Sequence, residues 1–236
     1  PIAEQIICAV DLGINTDAVC SIMKADGTIL ARKFIDFTSD KDRMIHAMNR
    51  TRRKQSKYGP KSARGLWAYV KRLNEDRAKK ISAAIVEFAS QHSVDTIVME
   101  HLDFKGCKKR GSKAQRLSMW NHGIIREKVE QKAHLLGIRI ATICAWKTSA
   151  LAFDGSGSVT RDDNNHALAK FTTGKQYNCD LSASYNIGAR YFIRELLKSL
   201  PATEESRVKA KVPDAGRRTS CTLSTLRMLV KELSAA

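Results

Sequence analysis

Three acidic residues stand where a chain normally keeps carboxylates out. Asp11 follows the apolar run Ile6-Ile7-Cys8-Ala9-Val10, and Glu100 follows Ile97-Val98-Met99. Runs of this kind read as central strands covered on both faces, where an unpaired carboxylate costs several kcal/mol. Asp180 stands where a loop gives way to the helical pattern Leu181, Tyr185, Gly188, Phe192 and Leu196, so it projects from a helix N-terminus toward the same point. Converging oxygen donors suit hard divalent cations, Mg²⁺ above all, with Mn²⁺ able to substitute. Two such ions ~3.5–4 Å apart activate a water, relieve charge on the nonbridging oxygens of a phosphodiester and stabilise the departing 3′-oxygen. Asp11 is the candidate to bridge both ions, and Glu100 and Asp180 would each hold one. Two of the acids also have an ordinary reading: Asp180 as a helix N-cap, Asp11 as a turn former ahead of Gly13. Glu100 resists one, because Glu is a poor strand residue and has no capping role there.

The elements that must position these acids can be read around them. Residues 6–11, 17–24 and 28–37 read as three strands, with Asp26-Gly27 as a hairpin turn. A basic helical segment over 41–56 breaks at Gly59-Pro60. A longer amphipathic helix follows, with Leu66, Val70, Leu73, Ile81, Ala84, Ile85 and Phe88 on one side and Lys71, Arg72, Arg77, Lys79 and Lys80 elsewhere. Strand four is 96–100, a helix runs through Ile124, Ile125, Val129, Ala133 and Leu136 to Gly137, and strand five is 138–144. Strands separated by helices pair in parallel, so the order implies an α/β fold of the RNase H-like class: a mixed sheet with helices on both faces and an inserted basic helical hairpin. His101 alternates to the face opposite Glu100 and reads as structural. Asn186 reads as a polar residue on an exposed helix face, with a contact to substrate or to a metal-bound water as its alternative.

Residues 145–179 make a loop too long for a plain connection. Pro201 to Cys221 reads as a linker, and Leu223, Leu226, Leu229, Val230 and Leu233 form one side of a closing helix that docks onto the core. This divides the chain into a domain over 1–200, with the hairpin inserted at 41–93, and a tail over 201–236.

The 236 residues carry 41 Lys+Arg against 24 Asp+Glu, a formal net charge of +17. Nucleic acid is the commonest partner of so basic a chain. Between Lys41 and Lys80 stand 14 Lys+Arg and three acids, which is +11 of that total. A second cluster, Lys105, Lys108, Lys109, Arg110, Lys113 and Arg116, contains no acid. Taken singly such runs are solvated faces; two clusters that follow strand-end carboxylates read as a phosphate-tracking channel. Its named candidates are Arg52, Arg53, Lys54, Lys108, Lys109 and Arg110, with Arg161 placed to reach a phosphate in the site. The six cysteines include no C-x-x-C pair and read as small buried residues in a reducing, cytoplasmic setting. No secretory signal or membrane-spanning run is present in the sequence. The chain opens without Met and enters its first strand within a few residues, which reads as a domain of something longer.

Asp11-Leu12-Gly13-Ile14-Asn15, Met99-Glu100-His101-Leu102 and Asp180-Leu181-Ser182-Ala183-Ser184-Tyr185-Asn186-Ile187, in that order, resemble the three RuvC motifs of the TnpB transposon-encoded nucleases and type V CRISPR effectors. The Arg-rich Thr51-Arg52-Arg53-Lys54 lies between the first two. Trp146-Lys147-Thr148-Ser149, with Arg161 and Phe171, resembles the frame around the zinc ribbon of those proteins. The likeness spans residues 6 to about 199. It implies a Mg²⁺-dependent DNA endonuclease domain of an RNA-guided, transposon-derived system, with DNA, guide RNA and further domains or subunits as partners. Two departures stand out. The Cys pairs that bind zinc in the family are replaced by Ala152-Phe153-Asp154-Gly155 and Thr172-Thr173-Gly174-Lys175, so no zinc is expected in this degenerate ribbon. Ser182-Ala183-Ser184 replaces the usual Asn-Ala-Ala, a change expected to act on helix packing while Asp180 is kept. The alternatives are a nuclease-silent DNA-binding module and a Holliday-junction resolvase or transposase of the same fold.

Overall fold

The computed structural model describes residues 1–101, 120–162, 165, 167–217 and 219–235. Strands β1 (Ile6–Asp11), β2 (Ala18–Lys24) and β3 (Ile29–Ile35) form an antiparallel meander. At its second turn Gly27 takes φ 80°, and Asp26 Oδ1 accepts the Thr28 N–H at 2.8 Å. Strands β4 (Thr96–His101) and β5 (Arg139–Cys144) then add in parallel on the other side of β1, giving the order β3-β2-β1-β4-β5. The first strand is therefore central. Burial on both faces explains why β1 and β4 read as continuous apolar runs with no alternation.

Helices α1 (Thr38–Tyr58) and α2 (Arg64–Gln91) form the basic hairpin, turning at Gly59 with φ 85°. Helix α2 and α3 (His122–Leu135) cover the sheet face formed by Cys8, Val10, Ile97 and Met99. Helix α4 (Cys179–Ser199) covers the other, packing Ile187, Tyr191 and Phe192 on Ile7, Ala9, Met23 and Val98. Gly188 permits the close approach: a Cβ there would meet Met23 Cε at 2.9 Å and Ala9 Cβ at 3.2 Å.

Three readings change. Arg77, placed away from the apolar side of α2, is buried and pairs with buried Asp17 at the mouth of β2. Asp17 also holds Lys41 of α1 at 3.2 Å and accepts the Phe37 N–H at 2.8 Å. One carboxylate thus fastens both hairpin helices to the sheet. The expected linker after Pro201 contains α5 (Ala202–Lys211) and a 3-10 turn, with Val208, Val212, Ala215 and Cys221 buried against α4. It closes with α6 (Leu223–Ser234), capped by a Thr222/Thr225 box and docked through Leu223, Leu226 and Leu229. The long loop contains a small antiparallel sheet, β6 (Thr160–Arg161), β7 (Leu168–Lys170) and β8 (Gln176–Asn178), over a core of Ala152, Ala169, Phe171 and Cys179. Among the described residues no helix is long and apolar enough to cross a membrane.

Candidate active site

Side chains alternate along a strand, so Asp11 lies on the same face as Ile7 and Ala9, and Glu100 on the same face as Val98. That face is the one covered by α4, whose first turn carries Asp180. All three acids therefore lie on one side of the sheet, two of them at the C-terminal ends of adjacent parallel strands. The crevice beyond strand C-termini is where α/β sheets generally take ligands. The N-cap of α4 is Asn178, whose side chain accepts the Leu181 N–H at 2.8 Å. Asp180 is consequently released from the capping role that its position suggested.

The charges of the three acids bear on one another. Burial pushes the Asp11 carboxyl well above the usual carboxylate range, the negative charges of Glu100 and Asp180 push it further, and Arg161 opposes them. Burial also raises Asp180, against the pull of Arg161 and of a hydrogen bond with Thr16. Glu100 is raised by burial and eased down by the Thr148 hydroxyl and the Arg190 charge. Gly13 permits the close turn after β1, since a Cβ there would lie 2.5 Å from the Thr16 carbonyl oxygen.

An oxygen-only donor set in which each charge disfavours the next fits a hard cation in type and in facing. As the side chains stand, no group of three or more Asp, Glu, His or Cys among the described residues is gathered tightly enough to hold one ion. Two of the acids are instead engaged by threonine hydroxyls, Glu100 by Thr148 and Asp180 by Thr16. The set is an open arrangement, not a closed cage.

Behind Glu100 lies a scaffold that the sequence reading missed. The single proton of the Thr148 hydroxyl is shared between Glu100 Oε1 and the Ala145 carbonyl, the latter at 3.1 Å. Asn186 is fully buried, which corrects both readings made for it. Its Nδ2 donates to the carbonyls of Thr148 at 3.0 Å and Leu151 at 2.9 Å, and its Oδ1 accepts the Leu223 N–H at 3.2 Å. Buried Arg190 donates to the carbonyls of Cys144 and Trp146, both at 2.8 Å, and to Thr219 at 2.9 Å and Cys221 at 3.2 Å. An Arg within the otherwise apolar stretch Ile187 to Ile193 was the available signal, because a buried guanidinium must find acceptors.

Of the basic candidates, Arg161 joins the carboxylates, and Arg52, Arg53 and Lys54 are exposed on α1. Lys108, Lys109 and Arg110 lie outside the described residues. Cys8, Cys20, Cys179 and Cys221 are buried and free; Cys144, expected to be buried, is exposed at the sheet edge.

No family model and no curated protein matches this sequence. Solved structures do match its fold. A Cas12f1 complex with sgRNA and target DNA superposes with a TM-score of 0.58 at 20% identity, over 77% of this chain and 49% of that one. A CRISPR-Cas12f ternary complex gives 0.54 at 18% identity, over 77% and 38%. The AacC2c1–sgRNA binary complex gives 0.56 at 9% identity, over 80% and 39%. The chain thus spans less than half the length of these proteins and shares their fold, and its RNase H-like mixed α/β sheet agrees with the motif resemblance.

Proposed function

We propose that this chain is a nuclease domain that hydrolyses DNA phosphodiesters with bound Mg²⁺ and works within an RNA-guided effector. One observation carries the reading: Asp11, Glu100 and Asp180 come from three distant segments to one face of the sheet, with Arg161 beside them. Asp11, Glu100 and Asp180 would hold the metal, which when bound supplies an activated water and Lewis-acid stabilisation of the leaving oxygen. The chain's own groups position the rest. Arg161 is placed to take a phosphate oxygen once the carboxylates are neutralised. Thr148 fixes one oxygen of Glu100, and Asn186 and Arg190 hold the backbone that carries Thr148. The exposed Arg52, Arg53 and Lys54 of α1 offer charge to a nucleic-acid backbone. Guide RNA and target DNA are the partners this reading assigns, supported by the similar structures, one solved with sgRNA and target DNA and one with sgRNA.

The test is a gel assay of single- and double-stranded DNA with and without Mg²⁺, alongside Asp11→Asn. Mg²⁺-dependent cutting abolished in the variant is expected. Metal-dependent binding without cutting, by a chain already carrying guide RNA, would favour the nuclease-silent module instead. A dimer in solution that cuts branched DNA would favour the resolvase or transposase reading.

A further inference from the structure

We infer that Trp146 is a stacking platform for an unpaired nucleobase beside the carboxylate site. The inference rests on the nuclease reading and adds to it a contact that sorts paired from unpaired substrate. Trp146 is 64% exposed, an unusual state for the largest apolar side chain. Its ring has no aromatic or cation partner among the described residues.

The exposure does not come from a loose loop. The carbonyl of Cys144 is held by Arg190, that of Ala145 by the Thr148 hydroxyl, that of Trp146 by Arg190 again and that of Thr148 by Asn186. Four of five consecutive carbonyls are thus tied to side chains, three of them from one buried helix. Between Trp146 and Thr148, Lys147 takes φ 61°, a left-handed conformation that a lysine adopts only where its surroundings impose it. The strained, pinned segment therefore fixes the backbone from which the indole projects into solvent.

Its location gives the platform an occupant. Trp146 is two residues from Thr148, whose hydroxyl bonds Glu100, so their Cα atoms are at most ~7 Å apart. A strand whose phosphate reached Glu100 and Arg161 would pass its neighbouring nucleotide close to the backbone that carries the indole. Every base has a π-face, so stacking tolerates sequence, but a base within a duplex has both faces covered by its neighbours. An unpaired nucleotide is the ligand this arrangement takes.

The experiment is a fluorescence titration of the 236-residue chain with a single-stranded oligothymidine and with a blunt duplex, at low salt with Ca²⁺ in place of Mg²⁺, so that the carboxylates are neutralised and no turnover is needed. Wild type and the Trp146→Phe and Trp146→Ala variants are compared, which isolates the Trp146 signal from Trp67 and Trp120. The single strand should quench wild-type emission, most of that quench should vanish in Trp146→Phe, and the duplex should quench far less. Trp146→Ala should bind the single strand about tenfold more weakly, and Trp146→Phe within about threefold of wild type, the loss expected of one stacked base. Equal affinity of all three proteins, or equal quenching by duplex and single strand, would overturn the platform and leave the nuclease reading standing. Failure of wild type to bind or cut any DNA would remove the nuclease reading, and the platform with it.

Discussion

Asn186 and Thr148 are joined through the Thr148 carbonyl, which accepts Asn186 Nδ2 at 3.0 Å, while the Thr148 hydroxyl donates to Glu100. A buried amide on α4 thereby sets the orientation of a carboxylate on β4, through one residue of an irregular segment. The same helix presents Asp180 from its first turn. Two of the three acids are consequently referenced to one rigid element.

Thr148→Val keeps the shape of the side chain and removes the hydroxyl. It should lower Mg²⁺-dependent cleavage about tenfold, while costing only about 1–2 kcal/mol of stability for the lost bonds to Glu100 and Ala145. Asn186→Ala should do the reverse in proportion, destabilising by about 3 kcal/mol because it leaves two carbonyls and one N–H unpaired. Chemical denaturation and initial rates measured on both variants check the ordering. A Thr148→Val variant that, when fully folded, cuts at the wild-type rate would mean that Thr148 acts only in the fold.

The hairpin makes a separate, electrostatic prediction. Arg52, Arg53 and Lys54 are exposed, and each phosphate contact contributes roughly 0.7 to 0.9 to the slope of log affinity against log salt. Replacing all three by Gln should flatten that slope by about two to three. An unchanged slope would assign these residues to a solvated face.

The fastening of that hairpin is testable by itself. Asp17 is buried with Arg77 and Lys41, so Arg77→Met strands a carboxylate that retains only the lysine and the Phe37 N–H. A loss of about 3–5 kcal/mol is expected, and the double variant Asp17→Leu/Arg77→Met should recover most of it. Urea melts of the two single variants and the double variant measure the coupling.

Much of this was legible in the residues. Continuous apolar runs ending in acids marked β1 and β4, because burial on both faces leaves few ways to place a carboxylate there. Helical periodicity found α2, α3, α4 and α6, and Asp26-Gly27 and Gly137 fixed turns through backbone freedom. The scaffold behind the site was not legible. Asn186, Arg190 and Thr148 work through main-chain carbonyls of irregular segments, and carbonyl directions leave no mark on side-chain pattern. Arg77 was misplaced for a related reason, since periodicity treats every charge as solvent-facing and its partner Asp17 is distant in sequence. The tail was taken for a linker because Val208, Val212 and Ala215 are too few to show a period of their own, although α4 completes their burial.

The final prediction concerns the lobe formed by β6, β7 and β8, where the family resemblance would place zinc. In the stretches that would carry the ligands, Phe153 instead packs against Phe171, Tyr177 and Tyr185, with ring centroids 5.5, 4.9 and 5.3 Å away. Lys175 lies over Phe153 at 4.6 Å, and the Tyr177 and Tyr185 hydroxyls meet at 3.0 Å. Edge-to-face aromatic packing of this kind supplies folding free energy locally, the role a structural zinc plays by coordination. The lobe should therefore keep its melting temperature when chelator is added, and elemental analysis should find no stoichiometric zinc. Phe153→Ala should cost about 3 kcal/mol, a drop of roughly 6–12 °C for a chain of this size. One tightly held zinc per chain, with melting that follows its removal, would transfer the role from the rings to a metal site drawing on Cys179 and His166.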